Sequence, residues 1–192
     1  MTPARFDPPF AVILGAALLF SVSLWLRLIG TAWDGWASLH PDERHMLFVS
    51  LDLLRGLSDP DAGFRPLSSL WFAPDSPLNP RGTGRLYVYG EGPLLAVTLY
   101  CKLLGIADWG GVMQAGRLIT ALVDASSVLA VFILAQMALG RAKPAHRHGA
   151  ALLAAGLYGL APTSMQLANF YAVDAWLAAF SIWALVPMLA LA

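Results

Sequence analysis

Four runs of this chain are long and apolar enough to cross a lipid bilayer, which takes about 20 residues. They extend from about Pro9 to Ile29, Val112 to Leu139, Ala150 to Ala168 and Ala175 to Ala192. The composition agrees, at 58% hydrophobic and 12% charged residues, where a soluble domain has about 45–50% and about 25%. So little charge cannot cover a surface facing water, and lipid has to be the solvent for much of the chain. Lys plus Arg and Asp plus Glu balance at 12 each, which gives no basis for a nucleic-acid partner. The single cysteine, Cys101, excludes an internal disulfide and a cysteine-based metal cluster.

The first run is longer than the apolar region of a signal peptide, about 7–15 residues, and no small-residue cleavage motif follows it. It is expected to stay as an anchor. Arg141, Lys143 and Arg147, with His146 and His148, form a short basic loop between the second and third runs. Short basic loops remain in the cytoplasm. Arg5 precedes the first run and agrees, placing the N-terminus in the cytoplasm and residues 31–111 outside the cell membrane. A fifth apolar stretch, Pro93 to Ile106, has about 14 residues. Were it to cross, the first and second spans would insert in the same direction, against Arg5 or the Arg141–Arg147 loop. It is expected to be a re-entrant or interfacial helix on the outer face, with Lys102 reaching the headgroups and Trp109 at interface depth.

The outer segment is the aqueous part. From Glu43 to Leu57, apolar residues at Met46, Leu47, Val49, Leu51, Leu53, Leu54 and Leu57 follow helical spacing. Pro41 and Asp42 suit a helix start, and Gly56 with Ser58-Asp59-Pro60-Asp61 stops it. A short amphipathic helix lying on the membrane is expected at about 43–57. Asp59 to Gly92 is rich in Pro and Gly and reads as ordered loop. The expected fold is therefore an all-α integral membrane bundle of about four transmembrane helices, with amphipathic and re-entrant helices on the outer face.

Several residues could carry chemistry. In His40-Pro41-Asp42-Glu43 two carboxylates adjoin the bilayer, where they could bind metal or act as base, although capping alone accounts for one acid. Asn79-Pro80-Arg81 and Tyr87-Val88-Tyr89-Gly90-Glu91-Gly92-Pro93 bring tyrosines, a carboxylate and glycines together before the short helix; an interfacial turn with aromatic anchors fits the same residues. Asp174 stands where the third span emerges and the fourth begins, on the same face as Asp42 in this topology, or it is an N-cap. Arg117 and Asp124 are seven residues apart and share one helical face. Charges inside a span are expensive and face a bundle interior or a cavity. Two turns, about 10 Å along the axis, separate the two residues, so a direct pair is not expected. Arg117 could bind phosphate or an outer-loop carboxylate. Arg27 is expected to snorkel to the interface. His40, Glu43, His45 and Glu91 offer N and O ligands without the spacing of a closed zinc site, and His40 with Glu91 is the weak metal candidate.

The order of these features resembles the GT-C membrane glycosyltransferases, specifically the protein O-mannosyltransferase and lipid A aminoarabinose transferase group. The resemblance covers nearly the whole chain. The family's acidic pair in the first outer loop is matched by Asp42-Glu43, and its second acidic position by Asp174. The family helix opening with a Lys-Pro-Pro-Leu-like motif reads Gly92-Pro93-Leu94 here, preceded by Glu91, so the motif's lysine is missing. The resemblance implies inverting transfer of a sugar from a polyprenyl-phosphate donor to an acceptor hydroxyl at the outer face. It implies Asp42 as base, Glu43 orienting loop or acceptor, and Arg81, Arg85, Arg117 or a divalent metal countering the phosphate, with Tyr89 and Glu91 lining the site. The resemblance fixes no cofactor and allows a divalent metal, of which Glu91 would be a ligand. Family members have about a dozen spans, so this chain corresponds to an N-terminal portion. It is expected to be a fragment, one half of an enzyme completed by a second chain, or an inactive remnant, and catalysis by it alone is not expected.

Two other classes fit the residues. A non-catalytic membrane subunit would bind lipid or a partner protein through the outer loop. A small transporter would use Arg117 and Asp124, but no inverted repeat is visible.

Overall fold

The computed structural model describes residues 8–59, 73, 76–84 and 86–191, and every regular element among them is helical. In chain order these are α1 (Phe10–Ile29), α2 (Pro41–Ser58), α3 (Glu91–Leu104), α4 (Trp109–Ala138), α5 (Pro144–Gly159), α6 (Pro162–Leu167) and α7 (Val173–Leu191). Short 3₁₀ turns occur at Gly30–Ala32 and Pro80–Thr83.

Three of these helices, α1, α4 and α7, are long and apolar enough to cross a membrane. On α1 a stripe of Phe10, Leu14, Leu18, Trp25 and Ile29 is exposed. Contiguous apolar surface of that kind is rare on a water-soluble monomer and fits a helix that faces lipid or further helices. The third expected run, 150–168, is not one continuous helix. Its residues fall in the 16-residue α5 and the six-residue α6. Together these lead from the end of α4, where His148 meets Gln136, back to the start of α7. That helix runs alongside α4, from Trp176 at Thr120 to Trp183 at Ser126. The break between α5 and α6 comes from Pro162, which has no N–H to donate and crowds the preceding residue away from helix; Ala161 is accordingly extended, at φ −65° and ψ 120°.

The chain divides into two compact units. The span unit comprises the chain up to Thr31, Thr120–Asn169 and Asp174–Ala192; the loop unit comprises Ala32–Ile119 and Phe170–Val173.

In the span unit, Ala16 of α1, Val128 and Phe132 of α4, and Ala151 and Ala155 of α5 form the core. Small residues permit close helix approach in lipid, where dispersion rather than water exclusion drives packing. At Gly159 an added Cβ would press on Ser23 and Val128 at 3.3 Å. Helix α7 is fastened to α4 by two indoles seven residues apart. Trp176 donates to the Thr120 hydroxyl at 2.9 Å and Trp183 to that of Ser126 at 2.9 Å.

In the loop unit, the apolar face of α2 (Met46, Leu47, Val49, Leu53 and Leu54) packs on Leu94, Leu95, Val97 and Cys101 of α3 and on the opening turns of α4. The amphipathic pattern of α2 thus finds protein, not lipid alone, to cover it. Helix α3 has 14 residues and ends at Gly105, whose φ of 69° is the left-handed cap that glycine adopts without strain.

Candidate functional site

The loop unit is organised around Arg117, which is fully buried. A buried guanidinium must find carboxylates for its donors, and Arg117 finds two. Nη1 and Nη2 donate to the two oxygens of Asp34, each at 2.9 Å. Nε donates to Glu43 Oε1 at 2.8 Å, and Nη2 also donates to Glu43 Oε2. All three side chains are 0% exposed. Glu43 Oε1 takes a further hydrogen bond from the Tyr171 backbone N–H at 2.8 Å. The Trp36 ring lies over the guanidinium, 5.5 Å from its carbon to the ring centroid, a cation–π arrangement.

Asp34 gives the preceding loop its shape. Its carboxylate accepts the N–H groups of Trp36 and Leu39 at 3.0 and 3.1 Å. Gly35, Trp36 and Ser38 all lie in the left-handed region, at φ 61°, 68° and 46°. For Trp36 and Ser38 this costs of order 1–3 kcal/mol each, offset in part by the carboxylate that gathers the amides of Trp36 and Leu39. Hydrogen bonding from Arg117, opposed only partly by desolvation, holds the Asp34 carboxyl well below the usual carboxylate range.

Tyr171 closes the back of this network. It is fully buried, and its hydroxyl pairs with Ser50 Oγ at 3.0 Å. Burial pushes its phenol well above the ordinary value, so it stays protonated. Its ring occupies the place where a Cβ on Gly116 would project. Glycine at 116 is therefore a matter of space one residue before the central arginine.

Asp42 adjoins Glu43 in sequence and has a different fate. It is half-buried, and the Tyr89 hydroxyl donates to its Oδ1 at 2.7 Å. His45 lies one turn along α2 from Asp42. Its ring is 6.0 Å from that of Tyr87 and 5.8 Å from that of Tyr89, and its Nε2 is buried with no hydrogen-bond partner. Tyr87 donates to the Gly90 carbonyl at 3.1 Å. Burial, with the charge of Glu91 adding to it, raises its phenol so that it remains a donor. Glu91, at the start of α3, faces Arg81 at 3.7 Å, with the Arg81 side chain 74% exposed. This end of the loop unit thus presents a hydrogen-bonded carboxylate, a half-buried tyrosine and histidine backed by the buried Tyr87, and an exposed cation.

The expected site residues are distributed as follows. Asp42 and Tyr89 are joined directly, as are Glu43 and Arg117, and Arg81 and Glu91. Arg117, which the sequence left between phosphate and an outer-loop carboxylate, is enclosed by two carboxylates, so a substrate role for it is withdrawn. Asp174 is exposed in the first turn of α7, within the span unit. Arg85 lies outside the described residues. His40 stacks on Phe170 with 4.4 Å between ring centroids, and no group of three or more His, Cys, Asp or Glu side chains is gathered for a metal among the described residues. His40 and Glu91 instead have other neighbours, Phe170 and Arg81 respectively.

The span unit holds a second ionic network, and here Arg27 is a correction. It does not snorkel; it is fully buried and its Nε donates to Asp124 Oδ2 at 2.6 Å. Nη2 donates to Ser164 Oγ at 2.8 Å and Nη1 to the Gly159 carbonyl at 3.0 Å. Asp124 also accepts from Tyr158 at 3.0 Å and Ser164 at 2.8 Å. The Gly159 carbonyl would pair with the N–H three residues later in a tightened last turn, or four later in a continuing helix. Residue 162 is proline, and Arg27 supplies the donor it lacks. Arg27 is thus a helix cap as well as an ion-pair partner, which is why it faces inward.

Sequence reasoning missed Asp34 altogether. The available signal was Asp34-Gly35, a turn-forming pair directly after a span, together with a buried Arg117 that needed acids.

No protein-family model, no curated protein and no solved structure matches this chain.

Proposed function

We propose that this chain forms the N-terminal part of a membrane glycosyltransferase that moves a sugar from a polyprenyl-phosphate donor to an acceptor hydroxyl, with Asp42 as the general base. The observation that carries this reading is the contrast between the two adjacent carboxylates. Glu43 is sealed between Arg117 and the Tyr171 amide and anchors the start of α2, while Asp42 is half-buried and oriented by the Tyr89 hydroxyl. A base needs this combination of fixed position and access.

In the proposed reaction the acceptor hydroxyl passes its proton to the free oxygen of Asp42 as its oxygen bonds to the anomeric carbon. The bond from that carbon to the phosphate oxygen breaks, and polyprenyl phosphate leaves with the electron pair. Arg81, exposed beside Glu91, is the cation available to the phosphate. The part-exposed rings of Tyr89 and His45 are the ones on which a sugar ring can rest. Asp174 is retained as the second acidic member on the strength of the resemblance. The topology that goes with this reading has the N-terminus in the cytoplasm and the loop unit on the outer face.

The test is transfer of labelled sugar from a polyprenyl-phosphate donor in membranes that overproduce the chain together with its complementing spans. Asp42→Asn should reduce incorporation by about 10²–10⁴-fold while membrane insertion stays normal. Full incorporation by Asp42→Asn overturns the assignment.

A further inference from the structure

Among the described residues, neither ring nitrogen of His45 has a hydrogen-bond partner. Nε2 is buried, whereas Nδ1 lies on the accessible side of this half-buried ring. The ring closes a triangle with the two tyrosines. Its centroid is 6.0 Å from that of Tyr87 and 5.8 Å from that of Tyr89, and the tyrosine centroids are 5.9 Å apart. Packing alone does not ask for histidine at that corner. A phenyl ring would fill the same space and leave no polar atom buried without a partner, an arrangement that costs stability and that folded proteins mostly avoid. The imidazole is there for a nitrogen, and the accessible one is Nδ1.

The surrounding polar groups narrow what Nδ1 meets. The Tyr87 hydroxyl donates to the Gly90 carbonyl and the Tyr89 hydroxyl to Asp42 Oδ1. The second oxygen of Asp42 and His45 Nδ1 remain for a ligand. Residues three apart on a helix are neighbours, with about 5–6 Å between their Cβ atoms, so the two groups can meet different polar atoms of one small molecule. A hydroxyl both donates and accepts, and it satisfies Nδ1 in either tautomer of neutral imidazole. A phosphate oxygen only accepts and suits one of the two. The planes of His45 and Tyr89 are inclined at 60°, so a sugar lying flat on Tyr89 is inclined to His45 and can turn a hydroxyl to its edge.

We propose that His45 Nδ1 hydrogen-bonds a hydroxyl of the donor sugar, which makes His45 a binding residue for the sugar and not for the phosphate. The inference rests on the glycosyl-transfer reading of this site and adds to it the group that recognises the sugar.

The experiment is native mass spectrometry of the full chain released from nanodiscs that contain polyprenyl phosphate and, in turn, polyprenyl-phosphate glucose, mannose or xylose. The expected result is retention of at least one sugar-bearing lipid several-fold above bare polyprenyl phosphate. His45→Phe keeps the ring and removes both nitrogens. It should weaken retention of the sugar-bearing lipid about tenfold and leave that of the bare lipid unchanged. His45→Asn, which offers an amide near the position of Nδ1, should keep the preference. Circular dichroism checks that each variant is folded, and His45→Leu replaces His45→Phe should the latter misfold. Equal retention of sugar-bearing and bare lipid by the unaltered chain overturns the proposal, as does an equal loss of both in His45→Phe. A preference that survives in His45→Phe while Asp42→Asn has lost transfer overturns the role of His45 and leaves the base standing. A preference lost in His45→Phe while Asp42→Asn transfers normally supports the role of His45 and removes the base.

Discussion

Arg117 holds Asp34 by two parallel hydrogen bonds of 2.9 Å across 83 residues of sequence, and the same guanidinium grips Glu43 from its other edge. One cation thus serves two enclosed anions. Removing it strands both, so Arg117→Met should destabilise the loop unit by about 3–5 kcal/mol. Arg117→Lys should recover little, because an ammonium cannot fork to two carboxylates. Thermal unfolding in detergent measures both, and Arg117→Met with Asp34→Asn and Glu43→Gln should regain part of the loss.

The Asp34 carboxyl is depressed in the folded protein, so its contribution is fully present above the unfolded carboxylate value of about 3.9 and disappears as pH falls through the lower folded value. Stability should therefore be little affected by this group down to about pH 5 and should fall below about pH 4. In Asp34→Asn the acid-side fall should be shallower and the neutral-pH stability lower. Unfolding midpoints across the acid range test this; parallel curves for the two proteins would refute it.

Gly116 has no room for a methyl group against the Tyr171 ring. Gly116→Ala should cost about 1–3 kcal/mol, although alanine is the better helix former. Tyr171→Phe removes only the Ser50 hydrogen bond and should cost about 1 kcal/mol. Combining Gly116→Ala with Tyr171→Ala should cost less than the sum of the two, a coupling readable in a double-mutant cycle.

The two neighbouring acids should separate in experiment. Glu43→Gln weakens a buried, charge-assisted network and should lower stability. Asp42→Asn should leave stability within about 0.5 kcal/mol of the parent and act on transfer instead. Parallel melting and incorporation assays distinguish them, and equal losses of stability would contradict the division of roles.

Arg27 and Asp124 are each other's counter-ion within the bilayer-crossing helices. Arg27→Leu or Asp124→Leu alone should be more damaging than both together, because the pair leaves no unmatched charge. Resistance to proteolysis in membranes gives the ranking.

The sequence pattern goes far towards this fold. The apolar runs built as α1, α4 and α7 are plain from length alone, and the leucine spacing after Glu43 is realised in α2. The break between α5 and α6 was also written in the chain, in Ala161-Pro162, but uninterrupted apolar composition on both sides outweighed it. The ion pairs are another matter. Arg27 finds Asp124 after 97 residues and Arg117 finds Asp34 after 83, and neither spacing follows any local period. Asp42 drew attention because Glu43 adjoins it and Tyr89 because another tyrosine stands two residues away; their meeting at 2.7 Å comes from the packing of α2 on α3.

The separation of Arg27 from Asp124 also bears on how the protein is made. Its first apolar helix enters the membrane carrying a cation whose counter-charge is still 97 residues from being synthesised. At about 5–20 residues per second that is a wait of roughly 5–20 s. During it Arg27 must be sheltered by the insertion machinery, by water or by lipid headgroups. The first helix can therefore take its final depth only after α4 has arrived, which makes the order of assembly in the membrane a property of one buried arginine.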